Sequence, residues 1–81
     1  MTYEKFKKGV EDLGLRCKFY NFGVSVFLAD EDYIVAIIYN TKRYFGVISF
    51  SPSLSNITNN DLLYWCYDLM RTPLENRGEL E

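Results

Sequence analysis

The chain has 81 residues, nine basic and eleven acidic, so its formal net charge at pH 7 is −2. This near-neutral balance argues against a strongly basic nucleic-acid binder and against a polyacidic tail. The length predicts one domain over residues 1–81, and a chain this short buries only about 60% of its unfolded surface.

Residues 2–13 have the pattern of an amphipathic helix. Thr2 is the expected N-cap, and Gly14 is the expected terminator because glycine adopts the left-handed conformation without steric cost. The apolar positions recur at helical spacing and form one stripe, made of Tyr3, Phe6, Val10 and Leu13.

Two short strands follow, at residues 15–20 and 24–29, with a turn at Asn21-Phe22-Gly23 between them. In the first strand the odd-numbered residues face the core, and Arg16, Lys18 and Tyr20 face outward. In the second strand the even-numbered residues are the expected inward set. The acidic triplet at residues 30–32 is expected to form a loop.

A β-hairpin at residues 33–50 is the strongest pattern in the chain, with a polar turn at residues 40–43. Its first strand, residues 33–39, is apolar on both parities, so two registers are open. In one, Ile34, Ala36 and Ile38 face the helices. In the other, these even-numbered residues are the exposed ones. Neither register leaves a polar face.

The spare face of this hairpin is a candidate protein-interaction surface, since exposed apolar patches commonly mark such contacts. In the first register the surface consists of Phe27, Val35, Ile37 and Tyr39. The alternative is that this face is shielded by Tyr20, Tyr44 and the segment 51–60.

The C-terminal part begins with a Ser- and Asn-rich segment, residues 51–60, which predicts a loop. A second helix is expected over residues 60–71, capped by Thr58 with Asp61, or by Asn59 or Asn60. Its apolar stripe consists of Leu62, Trp65 or Cys66, Leu69 and Met70. Pro73 predicts a break and then a new helical turn with Thr72 as N-cap, while residues 76–81 are expected to fray.

The element order is therefore α-β-β-β-β-α. Four strands joined by short connections predict an antiparallel meander, and each helix carries a single apolar stripe. The expected fold is α+β, a four-stranded antiparallel meander with the N- and C-terminal helices packed on one face.

Nothing in the sequence predicts an enzyme, a cofactor site, a metal site or a small-molecule substrate. Histidine is absent, so the commonest general base and Cys-His or Ser-His nucleophile pairs are missing. Cys17 and Cys66 are far apart and lie at apolar positions, where cysteine usually behaves as a small hydrophobe. We expect both thiols to be reduced.

A nucleic-acid-binding face is the alternative function. Arg16, Lys18, Tyr20 and Phe27 would interleave basic and aromatic groups on an open sheet, as single-strand binders do. The basic residues also have a structural explanation, since outward charges protect an edge strand. The acidic excess and the lack of an RNP-type motif favour this structural explanation.

Short segments at both ends of the chain are similar to segments of known proteins. The start Tyr3-Glu4-Lys5-Phe6 and the end Thr72-Pro73-Leu74-Glu75-Asn76-Arg77 resemble small proteins encoded in phages and prophages of Gram-positive bacteria. These proteins share a helix, a short meander and a closing helix that runs into T-P-L-E-x-R. The family has no assigned activity, so no functional residues carry over.

The resemblance implies a bacterial cytoplasm and a host-interaction or accessory role. A charged N-terminal stretch without an apolar run, and no segment long enough to span a membrane, agree with a cytoplasmic protein. The expected partner is a second copy of the chain or a host protein, rather than nucleic acid or a membrane.

Overall fold

A computed structural model describes residues 1–30, 33–49 and 54–79 of the chain. Its four strands pair in chain order, each antiparallel to its neighbour, which confirms the predicted α+β fold with a helix at each end. The elements in chain order are α1 (Tyr3–Asp12), β1 (Arg16–Tyr20), β2 (Gly23–Phe27), β3 (Ile34–Tyr39), β4 (Gly46–Ile48), α2 (Asn56–Arg71) and a 3₁₀ turn (Leu74–Asn76).

The first helix forms as its pattern predicts. The Thr2 hydroxyl accepts a hydrogen bond from the Lys5 backbone N–H at 3.2 Å, which satisfies one of the free donors of the first turn. Phe6 and Val10 are buried in the core. Gly14 has a φ of +84°, the left-handed conformation expected after the helix end.

The pairing of β2 with β3 decides which parity faces the helices. Val24 lies opposite Ile38 and Val26 lies opposite Ala36, and all four belong to the core cluster with residues of both helices. Ala36 and Ile38 therefore face the helices. Ile37 lies opposite Ser25 on the other face of the sheet.

A β-bulge breaks this parity at the start of β3. The register shifts between Val26 and Phe27, so that Phe27 pairs with Ile34 and Val35 becomes the extra residue. Val35 is buried within the core cluster, whereas Ile34 is 43% exposed. The predicted alternation is therefore wrong at these two positions, because an extra residue reverses the alternation beyond it.

The second helix begins four residues earlier than predicted. Ser55 is its N-cap and accepts a hydrogen bond from the Thr58 backbone N–H at 3.1 Å, so the caps expected at residues 58–60 are wrong. The expected core stripe is confirmed, since Leu62, Cys66 and Leu69 are buried.

The two helices approach each other closely at Gly9. A Cβ atom at this position would lie 2.6 Å from the indole ring of Trp65 on α2. Only glycine leaves room for the ring there. This contact sets α1 and α2 side by side over the same face of the sheet.

The segment after α2 differs from its prediction in two ways. The break after Arg71 is confirmed, but Thr72 ends α2 instead of capping a new helix, and its hydroxyl donates to the Asp68 carbonyl at 2.7 Å. Pro73 precedes the 3₁₀ turn, which has no side-chain cap. Arg77, expected in a frayed tail, is completely buried.

Two predicted features cannot be compared with the structure. Residues 31–32 of the acidic loop and residues 51–53 of the predicted loop 51–60 lie outside the described residues. Within the described part of the chain, no helix combines the length and apolar character needed to cross a bilayer.

Candidate interaction surface

The sheet face opposite the helices is the candidate surface, and we call it the outer face. From the strand pairing, Lys18 of β1, Ser25 of β2, Ile37 of β3 and Val47 of β4 follow one another across it. Ser25 is buried and Ile37 is half-buried, whereas Val47 is 56% exposed. Exposure therefore increases from the middle of the sheet towards β4.

Four aromatic side chains form a continuous row across one end of the outer face, and we call it the aromatic row. Tyr20 and Phe22 are stacked, with ring centroids 5.0 Å apart and planes 6° apart. Phe22 then contacts Tyr39 at 5.8 Å, and Tyr39 contacts Phe45 at 4.7 Å. Tyr20, Phe22 and Phe45 are exposed, and Tyr39 is half-buried.

Contacts between the two turns at this end hold the aromatic row in place. Gly23 has a φ of +145°, and a Cβ atom there would lie 2.1 Å from the Ile38 carbonyl oxygen. Glycine therefore lets the first turn lie against β3. Asn40 donates from its backbone to the Phe22 carbonyl at 2.8 Å and from its side chain to the Asn21 carbonyl at 3.0 Å.

A shallow groove of about 180 Å³ lies beside the aromatic row, between β3 and β4. It is smaller than the roughly 300–1,000 Å³ of typical small-molecule sites. Its lining is mainly aliphatic: Ile34, Val35, Ala36, Ile37, Val47 and Ser49. The groove suits protruding apolar side chains of another protein better than a polar metabolite.

Three cations cover ring faces at the borders of the outer face. The Arg16 guanidinium and the Lys18 ammonium lie 5.6 Å and 5.5 Å from the Phe27 ring centroid. At the opposite border, the Lys42 ammonium lies 5.1 Å from the Phe45 centroid. Their alkyl stems can pack on the rings while the charges reach water.

The four residues predicted for the interaction surface are thus only partly brought together. Ile37 and Tyr39 lie on the outer face and are half-buried. Phe27 is on this face but is buried, with Arg16 and Lys18 over its ring. The bulge places Val35 in the core cluster, which removes it from the exposed surface.

The four residues of the nucleic-acid alternative do lie together on the outer face. Their ring faces, however, are already in contact with other groups. Tyr20 stacks on Phe22, and the buried Phe27 is covered by the two cations. Base stacking requires an accessible ring face, so this arrangement does not favour single-strand binding.

Sequence reasoning missed three exposed members of the surface, Phe22, Phe45 and Val47. Phe22 and Phe45 lie in or beside turns, where strand alternation assigns no face. The sequence does contain a sign of the aromatic row. Aromatic residues lie next to the turns of both hairpins, at positions 20 and 22 in the first and at positions 39 and 45 in the second.

The thiols offer little reactivity at neutral pH. Cys17 and Cys66 are both free, and burial raises the pKa of each thiol from 9.0 to about 12. A thiolate is the reactive form, and thiols with a raised pKa are mainly protonated at neutral pH. Among residues 1–30, 33–49 and 54–79, no group of His, Cys, Asp or Glu could hold a metal ion.

Comparison with known proteins adds no further constraint. No protein-family model, no curated protein and no solved structure matches the chain.

Proposed function

We propose that this protein is a non-enzymatic interaction protein that acts through its outer face, and that the first occupant of this face is a second copy of the chain. One observation carries the proposal. Both helices pack on one side of the sheet, and the other side exposes Ile34 and Val47, which line a shallow apolar groove, and Phe45 of the aromatic row.

The exposed area is compatible with a dimer. Aromatic side chains carry roughly 150–250 Å² each, so the exposed parts of the aromatic row and of the groove amount to about 500 Å² per copy. A symmetric pair would bury about 1,000 Å², which is below the roughly 1,200–2,000 Å² of stable specific interfaces and fits a weak dimer. Twofold pairing is also the commonest arrangement of homo-oligomers.

The cellular setting of this proposal is a bacterial cytoplasm, with a phage or prophage origin. The support is the resemblance of the two chain ends to phage-encoded proteins, together with two free, protonated thiols. Free cysteines are typical of reducing compartments. A host protein could occupy the same face after, or instead of, the second copy.

A charge placed on the outer face tests the proposal. Ile37→Glu would bring a carboxylate into the contact, and burying an unpaired charge costs several kcal/mol. We expect sedimentation of the native chain to show a mass that rises over micromolar concentrations, and the variant to associate at least about tenfold more weakly.

Two matched variants serve as controls for this experiment. Tyr64→Glu places the same charge on an exposed apolar position of α2, away from the sheet, and should associate like the native chain. Ile38→Glu faces the helices and should unfold the domain, which circular dichroism detects. A folded Ile37→Glu variant with native association, or a strictly monomeric native chain, would contradict the proposal.

A further inference from the structure

The edge of the sheet at β4 offers backbone hydrogen-bonding groups that β3 does not use. The Tyr39 N–H donates to the Phe45 carbonyl, and the Ser49 N–H donates to the Val35 carbonyl. In an antiparallel ladder such bonded pairs alternate with non-bonded ones, so the backbone N–H and C=O groups of Val47 also point towards β3. The N–H and C=O groups of Gly46 and Ile48 therefore point away from the sheet.

The two edges of the sheet differ in how they are protected. The β1 edge carries Arg16 and Lys18 within five residues, and charges on an edge strand discourage pairing with another chain. The β4 edge, from Gly46 to Ser49, carries no charged residue and no proline. Within the described residues, the protection that this edge shows is its short length of three residues.

Apolar side chains of α2 border the β4 edge on the helix side. Leu63, Tyr67 and Met70 lie on one side of the helix, at i, i+4 and i+7. Met70 contacts Gly46, since a Cβ atom at Gly46 would lie 2.8 Å from the Met70 sulfur. This side of α2 therefore faces the edge, with Leu63 and Tyr67 exposed beside it.

From these observations we infer that β4 pairs antiparallel with β4 of a second copy, about a twofold axis at Val47. Gly46 of each chain would lie opposite Ile48 of the other, and each such pair exchanges both backbone hydrogen bonds. The two Val47 side chains become cross-strand neighbours, which favours β-branched residues. The two four-stranded sheets become one continuous sheet.

A second copy fits this edge better than a strand of different chemistry. The partner's β4 is itself uncharged and apolar. The antiparallel arrangement also keeps the two cationic Lys42-Arg43 pairs at opposite ends of the contact, whereas a parallel one would bring them together.

The exposed area around the edge is sufficient for a weak dimer. Tyr44, Phe45, Val47, Leu63 and Tyr67 are all exposed. At roughly 150–250 Å² per aromatic side chain, they provide about 500 Å² per copy. The pair would bury about 1,000 Å², again in the range of weak contacts.

This inference does not rest on the proposed function. Both contacts would include the exposed side chains of Phe45 and Val47, but edge pairing also requires the backbone groups of Gly46 and Ile48, which face pairing does not use. The two contacts can therefore be removed separately. They also leave different signatures in amide hydrogen exchange.

Hydrogen exchange of the native chain at low and high protein concentration is the direct test. In the monomer the amides of Gly46 and Ile48 are not bonded to β3, while the ladder pattern bonds the Val47 amide within the sheet. Edge pairing should slow exchange at Gly46 and Ile48 by about tenfold once nine-tenths of the chains are paired. Val47 should already be protected at both concentrations and serves as the internal reference.

A proline substitution gives an independent test of the same contact. Ile48→Pro removes an N–H that β3 does not use, and edge strands tolerate proline at such positions. Ile48→Val is the control, because it keeps the N–H and shortens the side chain much as the proline substitution does. We expect Ile48→Pro to associate about tenfold more weakly than Ile48→Val in sedimentation, for the loss of two of the four hydrogen bonds.

Each outcome decides between the two contacts. Unchanged exchange at Gly46 and Ile48 across concentrations overturns edge pairing, and so does equal association of a folded Ile48→Pro and Ile48→Val. Loss of association in Ile37→Glu would still support the outer face in that case. The opposite pair of results is protection of these amides together with normal association of the Ile37→Glu variant. Those results would support edge pairing and contradict pairing through the outer face.

Discussion

Arg77 is the residue that connects the C-terminal tail to the rest of the fold. Its side chain is completely buried and donates to three backbone carbonyls, those of Thr72 at 2.9 Å, Tyr39 at 3.0 Å and Met70 at 3.0 Å. Met70 and Thr72 lie at the end of α2, where helix carbonyls lack partners and the helix dipole favours a cation. No ion pair to Arg77 occurs within the described residues.

We predict that Arg77→Met destabilises the fold by about 3 kcal/mol, because the Thr72, Tyr39 and Met70 carbonyls each lose a donor at once, although the Met70 carbonyl still accepts from the Tyr44 N–H at 2.9 Å. Arg77→Lys should be intermediate, since one ammonium cannot reproduce the planar fork of a guanidinium. Urea unfolding measures both. Arg71→Met is the control, because the exposed Arg71–Asp68 ion pair at 2.6 Å contributes little. Equal unfolding midpoints for the two methionine variants would contradict this role.

The buried thiols make stability depend on alkaline pH. In the folded chain the pKa of Cys17 and of Cys66 is about 12, whereas an unfolded thiol ionises near 9. The unfolded state therefore loses its thiol protons first as pH rises. The contribution of the thiols is complete below about pH 9 and is lost as the pH approaches about 12.

We therefore expect the free energy of unfolding to fall above about pH 9, and to fall less steeply in a Cys17→Ala, Cys66→Ala double variant. Denaturant titrations between neutral pH and about pH 9.5 measure the slopes, because ordinary tyrosine and lysine side chains lose their protons mainly above this limit, at about pH 10 to 10.4. A thiol label should add two groups in denaturant and react slowly with the native chain. Identical slopes in both chains would exclude this linkage.

At the scale of elements, α2 explains why one helix start could be predicted and the other could not. The start of α1 follows from a local pattern, Thr2 before an apolar stripe. In α2 the stripe position before Leu62 is Asn59, a polar residue that is nonetheless buried and donates to the Leu54 carbonyl at 3.4 Å. The stripe therefore appears in the sequence to begin one turn late.

We predict that Ser55→Ala destabilises the fold by about 1 kcal/mol, the typical loss of an N-cap. The reason is that the first turn of α2 depends on the Ser55 hydroxyl, which also donates to the Thr58 hydroxyl at 3.0 Å. Asn60→Ala, at an exposed helix-interior position, should be neutral or slightly stabilising. Chemical unfolding of both variants checks this. A neutral Ser55→Ala would mean that α2 effectively starts near residue 60.

For the whole molecule, the fold class and most of the core could be predicted because both depend on local periodicity. The face of Ile37 and Tyr39 could be predicted only as one of two registers. The choice between them depends on pairing with β2, which periodicity does not encode. Val35 could not be placed, because a bulge of one residue leaves no distinct mark in an apolar run.

The candidate site and the tail were less predictable for a related reason. The aromatic row depends on a contact between two turns, through Asn40 and Phe22, that are distant in sequence. The burial of Arg77 depends on carbonyls from Tyr39 and from the end of α2. Such tertiary contacts outweigh the polar composition that predicts fraying.

The pairing of every strand with its sequence neighbour has a consequence for folding kinetics. Each hairpin closes only a short loop, so the sheet can form with little loss of chain entropy, and such local topologies fold fast. The slowest closure is the one that joins the two ends, where the Tyr3 N–H donates to the Arg77 carbonyl at 2.7 Å. The sheet and α2 would therefore assemble first, and the junction of α1 with the tail would close last and open first.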